Sequence, residues 1–204
     1  MINKMKKLAV VMAAMFCAVS SFANDVYVEQ IGSNSTVNIT QQGIANTVGD
    51  SVTPIFIGGG SNQVNIQQIG DSNSLAMIVN GAGTNTTVTT NGNSNVQTIN
   101  CGTTGQAACS GSNITQIVTG DSNTVTQNLG AGANHNSYID ITGSGNNVIH
   151  TSSMSAASNV SITLTGGTTA NPNNISVTQS GTLAQNVVLT SNGNGNNIAI
   201  VQSN

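Results

Sequence analysis

Positive charge is almost missing from this chain. Its three basic residues, Lys4, Lys6 and Lys7, all fall within the first seven positions, and there is no arginine. Beyond them only His135 and His150 could become cationic, against six carboxylates. Nucleic-acid binding through phosphate contacts is therefore not expected, because that affinity comes from Lys and Arg. Electrostatic attachment to anionic lipid is not expected for the same reason. Tryptophan is absent and aromatics make up 2% of residues, so a thick conventional core lacks large side chains to fill it. Charged residues amount to only 4%, and with abundant Gly, Ser, Thr, Asn and Gln such a composition usually means disorder. The regular placing of Val, Ile and Leu argues otherwise, since disorder does not need alternation.

The lysines belong to a leader. Leu8 to Val19 is an apolar run of about a dozen residues, too short to span a bilayer. Ser21-Phe22-Ala23 offers small residues at the two positions a signal peptidase reads. We expect a signal peptide over 1–23 and a mature chain over 24–204 that passes through the periplasm. Cys17 lies in the apolar run, but Ala14-Met15-Phe16 before it is a poor lipoprotein box, so neither a lipid anchor nor membrane insertion is expected.

From about Gln30 onward one unit recurs: a short strand of alternating apolar residues followed by a glycine-asparagine corner. Val37, Ile39 and Gln41 share one face of a strand, as do Val64, Ile66 and Gln68, and Leu75, Met77 and Val79. Later copies include Ile139 with Ile141, Ile175 with Val177 and Gln179, and Ile198 with Ile200 and Gln202. The corners read as two alternating kinds. Gly32-Ser33-Asn34, Gly60-Ser61-Asn62, Gly83-Thr84-Asn85 and Gly111-Ser112-Asn113 are three residues long. Gly43-Ile44-Ala45-Asn46, Gly70-Asp71-Ser72-Asn73 and Gly120-Asp121-Ser122-Asn123 are four residues long.

Two corners in succession imply a rung of two strands joined by arcs. The fold class expected is all-β: a β-solenoid of about seven rungs, near 34 Å long at the usual strand spacing. Its thin interior would hold Val, Ile and Leu together with Gln and Asn. Buried amides are tolerable there when each bonds its copy on the next rung. Insertions near 50–59 and 101–109 adjoin the shorter corner and should decorate the same edge, while 168–173 interrupts the C-terminal third.

Few residues suggest chemistry. Cys101 and Cys109 are the only cysteines left after export, and an oxidising compartment favours a disulfide over a metal pair or reactive dithiol. His135, His150 and Asp140 lie in neighbouring units, but a surface His135 and a solvent-face or ladder His150 are the simpler reading. Asp71 and Asp121 occupy matching corners, as in calcium-binding repeats, yet only two corners carry aspartate; turn formation is expected. No nucleophile has a base and an orienting group, and no carboxylates are paired, so neither enzyme activity nor a cofactor or metal is expected.

At its Gln-x-Gly-x-x-Asn units the chain resembles the curlin family, secreted subunits of bacterial curli fibres. The matching residues are Gln30, Gly32 and Asn34; Gln41, Gly43 and Asn46; and Gln68, Gly70 and Asn73. Gln179-Ser180-Gly181 is a partial match. The resemblance implies a functional amyloid exported through the periplasm and an outer-membrane pore, then polymerised with itself into extracellular biofilm fibres, with a nucleator or related subunit as partner. It also implies that Gln30, Gln41 and Gln68 are ladder glutamines and Gly32, Gly43 and Gly70 arc glycines. In this chain the repeats begin almost at the mature N-terminus and include an inserted loop, unlike the family's major subunits.

Physics points to assembly independently. A solenoid exposes an open β edge at each end, and Asn197-Ile198-Ala199-Ile200-Val201-Gln202 is an uncharged, β-prone final strand with nothing after it to cover it. Competing readings are a secreted adhesin or matrix-binding protein that uses the loop-decorated edge, and an ice-binding protein suggested by Thr86-Thr87-Val88-Thr89-Thr90 and Thr163-Leu164-Thr165. An ice face needs Thr-x-Thr in most rungs, and here the motif is sporadic.

Overall fold

The computed structural model describes residues 23–102, 109–130 and 132–204. The expected signal peptide, apart from Ala23, lies outside the described residues, as do 103–108 of the disulfide loop. The described residues form strands and connecting arcs, with no helix. The first rung is β1 (Asp25–Val26) and β2 (Val28–Ile31), then β3 (Thr36–Gln42); the second is β4 (Thr47–Val48) and β5 (Ile55–Gly58), then β6 (Gln63–Ile69). Below them come β7 (Ser74–Asn80) with β8 (Asn85–Asn91), β9 (Val96–Cys101) with β10 (Asn113–Thr119), and β11 (Thr124–Leu129) with β12 (Asn136–Thr142). β13 (Asn147–Met154) pairs off with β14 (Ser158–Thr165), β15 (Asn174–Gly181) with β16 (Gln185–Asn192), and β17 (Asn197–Ser203) begins a further rung.

Each strand is hydrogen-bonded in parallel to its equivalent one rung away, so the chain forms two stacked sheets. One runs β1/β2, β4/β5, β7, β9, β11, β13, β15, β17; the other runs β3, β6, β8, β10, β12, β14, β16. This is the expected β-solenoid, with two strands per rung and about seven turns. Alternation makes it possible: in β10, Ile114, Gln116 and Val118 are buried while Thr115 and Ile117 face out. Because side chains repeat every second residue, one register gives each inward residue an inward neighbour above and below.

The corners differ from the sequence expectation. Register pairs Thr36 with Gln63 and Gln63 with Asn85, which aligns Ser35 with Asn62 and Thr84. Both edges therefore use a four-residue arc: Gly32–Ser35 and Gly59–Asn62 on one, Gly43–Asn46 and Gly70–Asn73 on the other. The third arc position adopts left-handed backbone on both edges, at Asn34 (φ 59°), Ser61 (60°), Ala45 (56°) and Ser72 (59°). Gly83 (φ 68°) and Gly111 (69°) occupy that third position rather than the first. Glycine marks either of two sites that need positive φ, and this made equal arcs look unequal. The seeming three-residue corners at Gly83 and Gly111 are arcs read from their third residue, the one at Gly60 is an arc read from its second, and the one at Gly32 extends one residue further, to Ser35.

The insertions also sit differently. Residues 49–54 leave the first sheet between β4 and β5, in the middle of a rung rather than at a corner. The disulfide loop replaces an arc on the β9–β10 edge, and 166–173 is a longer arc on the opposite edge.

The interior is divided. One apolar cluster includes Ile57, Val64, Leu75, Met77, Val88 and Ile99; the other includes Val118, Val125, Ile139, Ile162 and Val177. Between them lie fully buried Gln116, Gln127, His150 and, at 1% exposure, Ser137. The amides of Gln116 and Gln127 have no hydrogen-bond partner among the described residues.

Candidate functional site

A continuous ladder of asparagines runs along the edge that carries Gly43–Asn46. Asn73 Nδ2 donates to Asn46 Oδ1 at 3.0 Å, Asn95 to Asn73 at 3.0 Å, Asn123 to Asn95 at 3.1 Å, Asn146 to Asn123 at 3.0 Å and Asn173 to Asn146 at 3.0 Å. Each Oδ1 also accepts the backbone N–H of the next asparagine, as Asn46 accepts from Asn73 at 3.0 Å. The second amide hydrogen reaches an arc carbonyl one rung on, from Asn73 to Gly92 O at 2.8 Å. Donor and acceptor capacity is thus used along the rod, which makes these buried amides affordable. The arc glycines make the approach possible. At Gly70 (φ +113°) an added Cβ would collide with the Gly92 carbonyl oxygen.

Among the sequence-expected residues, Asn46 and Asn73 are rungs of this ladder, and Gly32, Gly43 and Gly70 are positive-φ arc glycines. Asn34 holds the left-handed third position of the other edge and is not a ladder residue there; Ser35 aligns with Asn62. Gln41 Nε2 donates to Gln68 Oε1 at 2.9 Å, one true glutamine step, but Gln68 then stacks on Thr90. Gln30 belongs to the opposite sheet and stacks on Ile57, so the three glutamines form no common ladder. The Gln-x-Gly-x-x-Asn motif recurs on both sheets, and only register separates the two.

Asp71 and Asp121 form a second, exposed ladder. Asp71 Oδ1 accepts the Ile44 N–H at 2.9 Å, Asn93 Oδ1 accepts from Asp71 at 2.8 Å, and Asp121 Oδ1 accepts from Asn93 at 2.7 Å. These aspartates order arcs, as expected, but they do so between rungs. Asp50 caps its own loop through Val52 N at 2.7 Å and Thr53 N at 2.6 Å; its bond to the Thr53 hydroxyl, with these, holds its carboxyl below the usual range.

Cys101 and Cys109 are disulfide-bonded, with Cα atoms 5.5 Å apart and both side chains fully buried in the first apolar cluster. His135 was expected at the surface and His150 on a solvent face or in a ladder; both are fully buried. His135 Nδ1 lies 2.7 Å from Ser158 Oγ, and His150 Nδ1 lies 3.0 Å from Ser137 Oγ. Burial pushes His150 down to about 4, opposed by the Gln179 side chain and reinforced by His135. His135 is lowered too, chiefly by burial. Asp140 projects outward and bonds the Tyr138 hydroxyl at 3.1 Å, so it does not join the histidines. No group of three or more metal-ligating side chains occurs among the described residues. Composition gave no hint that the histidines lie inside; the register of β12 and β13 sets it.

The outer faces lack a threonine array. One outward column of the second sheet runs Thr40, Gln67, Thr89, Ile117, Asp140, Thr163 and Thr190. Its neighbour places Thr87 and Thr115 among Asn65 and Tyr138, so Thr-x-Thr occurs on this face only beside Val88 and, three rungs away, beside Leu164.

The ends of the rod are where the interior meets solvent. Val37 and Ile39 at one end, and Leu189, Ile198 and Ile200 at the other, point inward but are only partly buried. Val26 (46% exposed) and Val28 (40%) face inward beside Val48 and Ile55, which are fully buried. In class the described residues form a parallel β-solenoid whose end rungs have no covering rung among those residues. No protein-family model, curated protein or solved structure matches the chain.

Proposed function

We propose that this protein is a structural subunit, or a minor nucleating subunit, of an extracellular curli-like amyloid fibre that grows by stacking rung upon rung. The observation that carries this reading is the pair of end rungs. Among the described residues, each presents a parallel strand edge and inward-facing aliphatic side chains without the covering rung that every internal rung has. An unpaired, uncharged edge is a template for another strand, and the best-matched strand is the next copy's. The asparagine ladder adds directional bonding that a further copy can extend. The curlin-like motifs and the leader fit export through the periplasm and an outer-membrane pore to the cell surface, with a related subunit as nucleating partner. The chain acts there without enzymatic activity, in biofilm matrix and adhesion.

Purified chain 24–204 should form fibres that bind amyloid dyes and give a cross-β reflection at about 4.7–4.8 Å. Soluble monomer persisting for days at micromolar concentration would overturn the proposal.

One observation favours a second reading, a matrix-binding adhesin. A cleft of about 390 Å³ on the first sheet's outer face, lined by Ile78, Asn100, Asn128 and Gly130 among others, lies beside the disulfide loop. Loss of surface adhesion on deleting 102–108, with fibre growth retained, would support it.

A further inference from the structure

The described stack does not contain a whole number of rungs. The first sheet ends on β17, while the second ends half a rung earlier on β16; at the other end both β1/β2 and β3 are present. Two copies placed end to end, as the fibre reading requires, therefore meet with one sheet-one strand too many. If β17 simply stacks on the next copy's β1/β2, the second sheet is left with a one-strand gap between β16 and β3. That gap would open the interior beside Val187, Leu189, Val37 and Ile39.

The surplus strands are equivalents. Asn24 Oδ1 accepts the Asn46 N–H at 2.9 Å, and Asn196 donates its N–H to Asn173 Oδ1 at 2.8 Å, so Asn24 and Asn196 are the two ends of one asparagine column. From there the segments match position by position. Inward-facing Val26, Val28 and Gln30 correspond to Ile198, Ile200 and Gln202, because both sets lie in the columns of Val48, Ile55 and Ile57. The two are unequal in strength. The N-terminal segment is broken into strands of 2 and 4 residues, exposed throughout, and it carries Asp25 and Glu29. β17 is a single uncharged strand of 7 residues.

We propose that assembly is a strand exchange. β17 of one copy takes the place of β1/β2 in the next and pairs with its β4 and β5, while β16 pairs with β3. This rests on the fibre reading and specifies its joint. Register then sets Val187 on Val37, Leu189 on Ile39, Ile198 on Val48 and Ile200 on Ile55, apolar on apolar, with Ser191 on Gln41 and Gln202 on Ile57 beside them. Both arrangements gain one strand's worth of new ladder. Only the exchange closes the interior, and it also frees the displaced segment, recovering its conformational entropy.

The two joints differ in which outward residues become neighbours. Exchange brings Val188 of one copy next to Asn38 of another, about 4.8 Å away, whereas simple stacking keeps them about two rungs apart, beyond disulfide reach. Simple stacking instead pairs Val201 with Glu29. Within one chain neither pair can meet, since they sit at opposite ends of the rod. Fibres of the Val188→Cys/Asn38→Cys double variant should oxidise into a ladder of covalent multimers on a non-reducing gel. Fibres of the Val201→Cys/Glu29→Cys variant should stay monomeric on that gel. Cross-linking through 201 and 29, alone or with the other pair, overturns the exchange but not the fibre. Fibres that link through neither pair overturn it too, and absence of any fibre overturns both proposals. As a second readout, removing residues 24–31 should leave growth at least as fast as in the intact chain; a block to growth counts against displacement.

Discussion

At the residue scale, the asparagine that closes each arc of the ladder edge carries more of the fold than its polarity suggests. Asn123 is fully buried and takes part in bonds to Asn95, Gly143 and Asn146, the last through both backbone and side chain. Truncation removes the partners of the Gly143 carbonyl and the Asn146 backbone N–H on the next rung, while Asn95 Oδ1 keeps the backbone N–H of residue 123 and the Asn146 amide keeps the Gly166 carbonyl. Each unpaired buried group costs about 1–3 kcal/mol, so Asn123→Ala should destabilise the soluble chain by roughly 2–4 kcal/mol. Urea unfolding measured before assembly checks this. A loss under about 1 kcal/mol would mean that water replaces the ladder without penalty. Glutamine has no such uniform role. Gln41 and Gln68 meet, Gln179 and Gln202 meet at 3.0 Å, yet Gln116, between Val88 and Ile139, and Gln127, between Ile99 and His150, have amides with no partner among the described residues.

At the scale of strands and arcs, inward and outward faces were readable from alternation alone. Val64, Ile66 and Gln68, or Ile175, Val177 and Gln179, needed no coordinates to be assigned to one face. Corner length was not readable, because Gly32 and Gly83 hold different positions of the same arc and glycine serves both. Nor was the sheet to which Gln30 belongs, since motifs on the two sheets look alike and only pairing separates them. The histidines were misplaced because low-complexity surroundings resemble surface. The disulfide was legible from the cysteine count together with an expected oxidising compartment. Tying residues 8 apart in sequence restrains the loop in the unfolded chain, which the chain-entropy estimate values at ~2.5 kcal/mol. Both half-cystines also fill the first apolar cluster, and Cys109 N donates to Asn80 O at 3.0 Å, returning the chain to the stack. The Cys101→Ala/Cys109→Ala variant should unfold at clearly lower urea than the oxidised chain. An unchanged midpoint would place the bond outside the cooperative unit.

For the whole molecule, the polar band between the two apolar clusters is the place where solution conditions can reach the interior. His150 is fully buried, and its inward neighbours on the adjoining strands are Gln127, Val177 and Ser137, with Gln179 nearby; none is charged. Asp140 and Tyr138, the titratable groups on the facing strand, point to solvent. Nothing compensates a proton taken up inside, and the two imidazoles penalise each other. In the folded chain His150 titrates at about 4, below the 6.5 of an unperturbed imidazole, and His135 is lowered in the same direction. The unfolded chain therefore binds more protons than the folded one across that window, and stability falls as pH falls. The contribution is complete above about pH 6.5 and is lost progressively toward pH 4, amounting for His150 to roughly 3 kcal/mol. Urea midpoints of the soluble chain should accordingly drop between about pH 7 and pH 4.5. His150→Gln should flatten much of that slope, since an amide fits the column of Gln127 without titrating. A slope that persists undiminished in the variant would assign the acid sensitivity to His135, the other buried imidazole lowered in the same direction. In that case His150 would be silent, and acid would act on the buried cluster of His135, Ser158 and Ser152 instead.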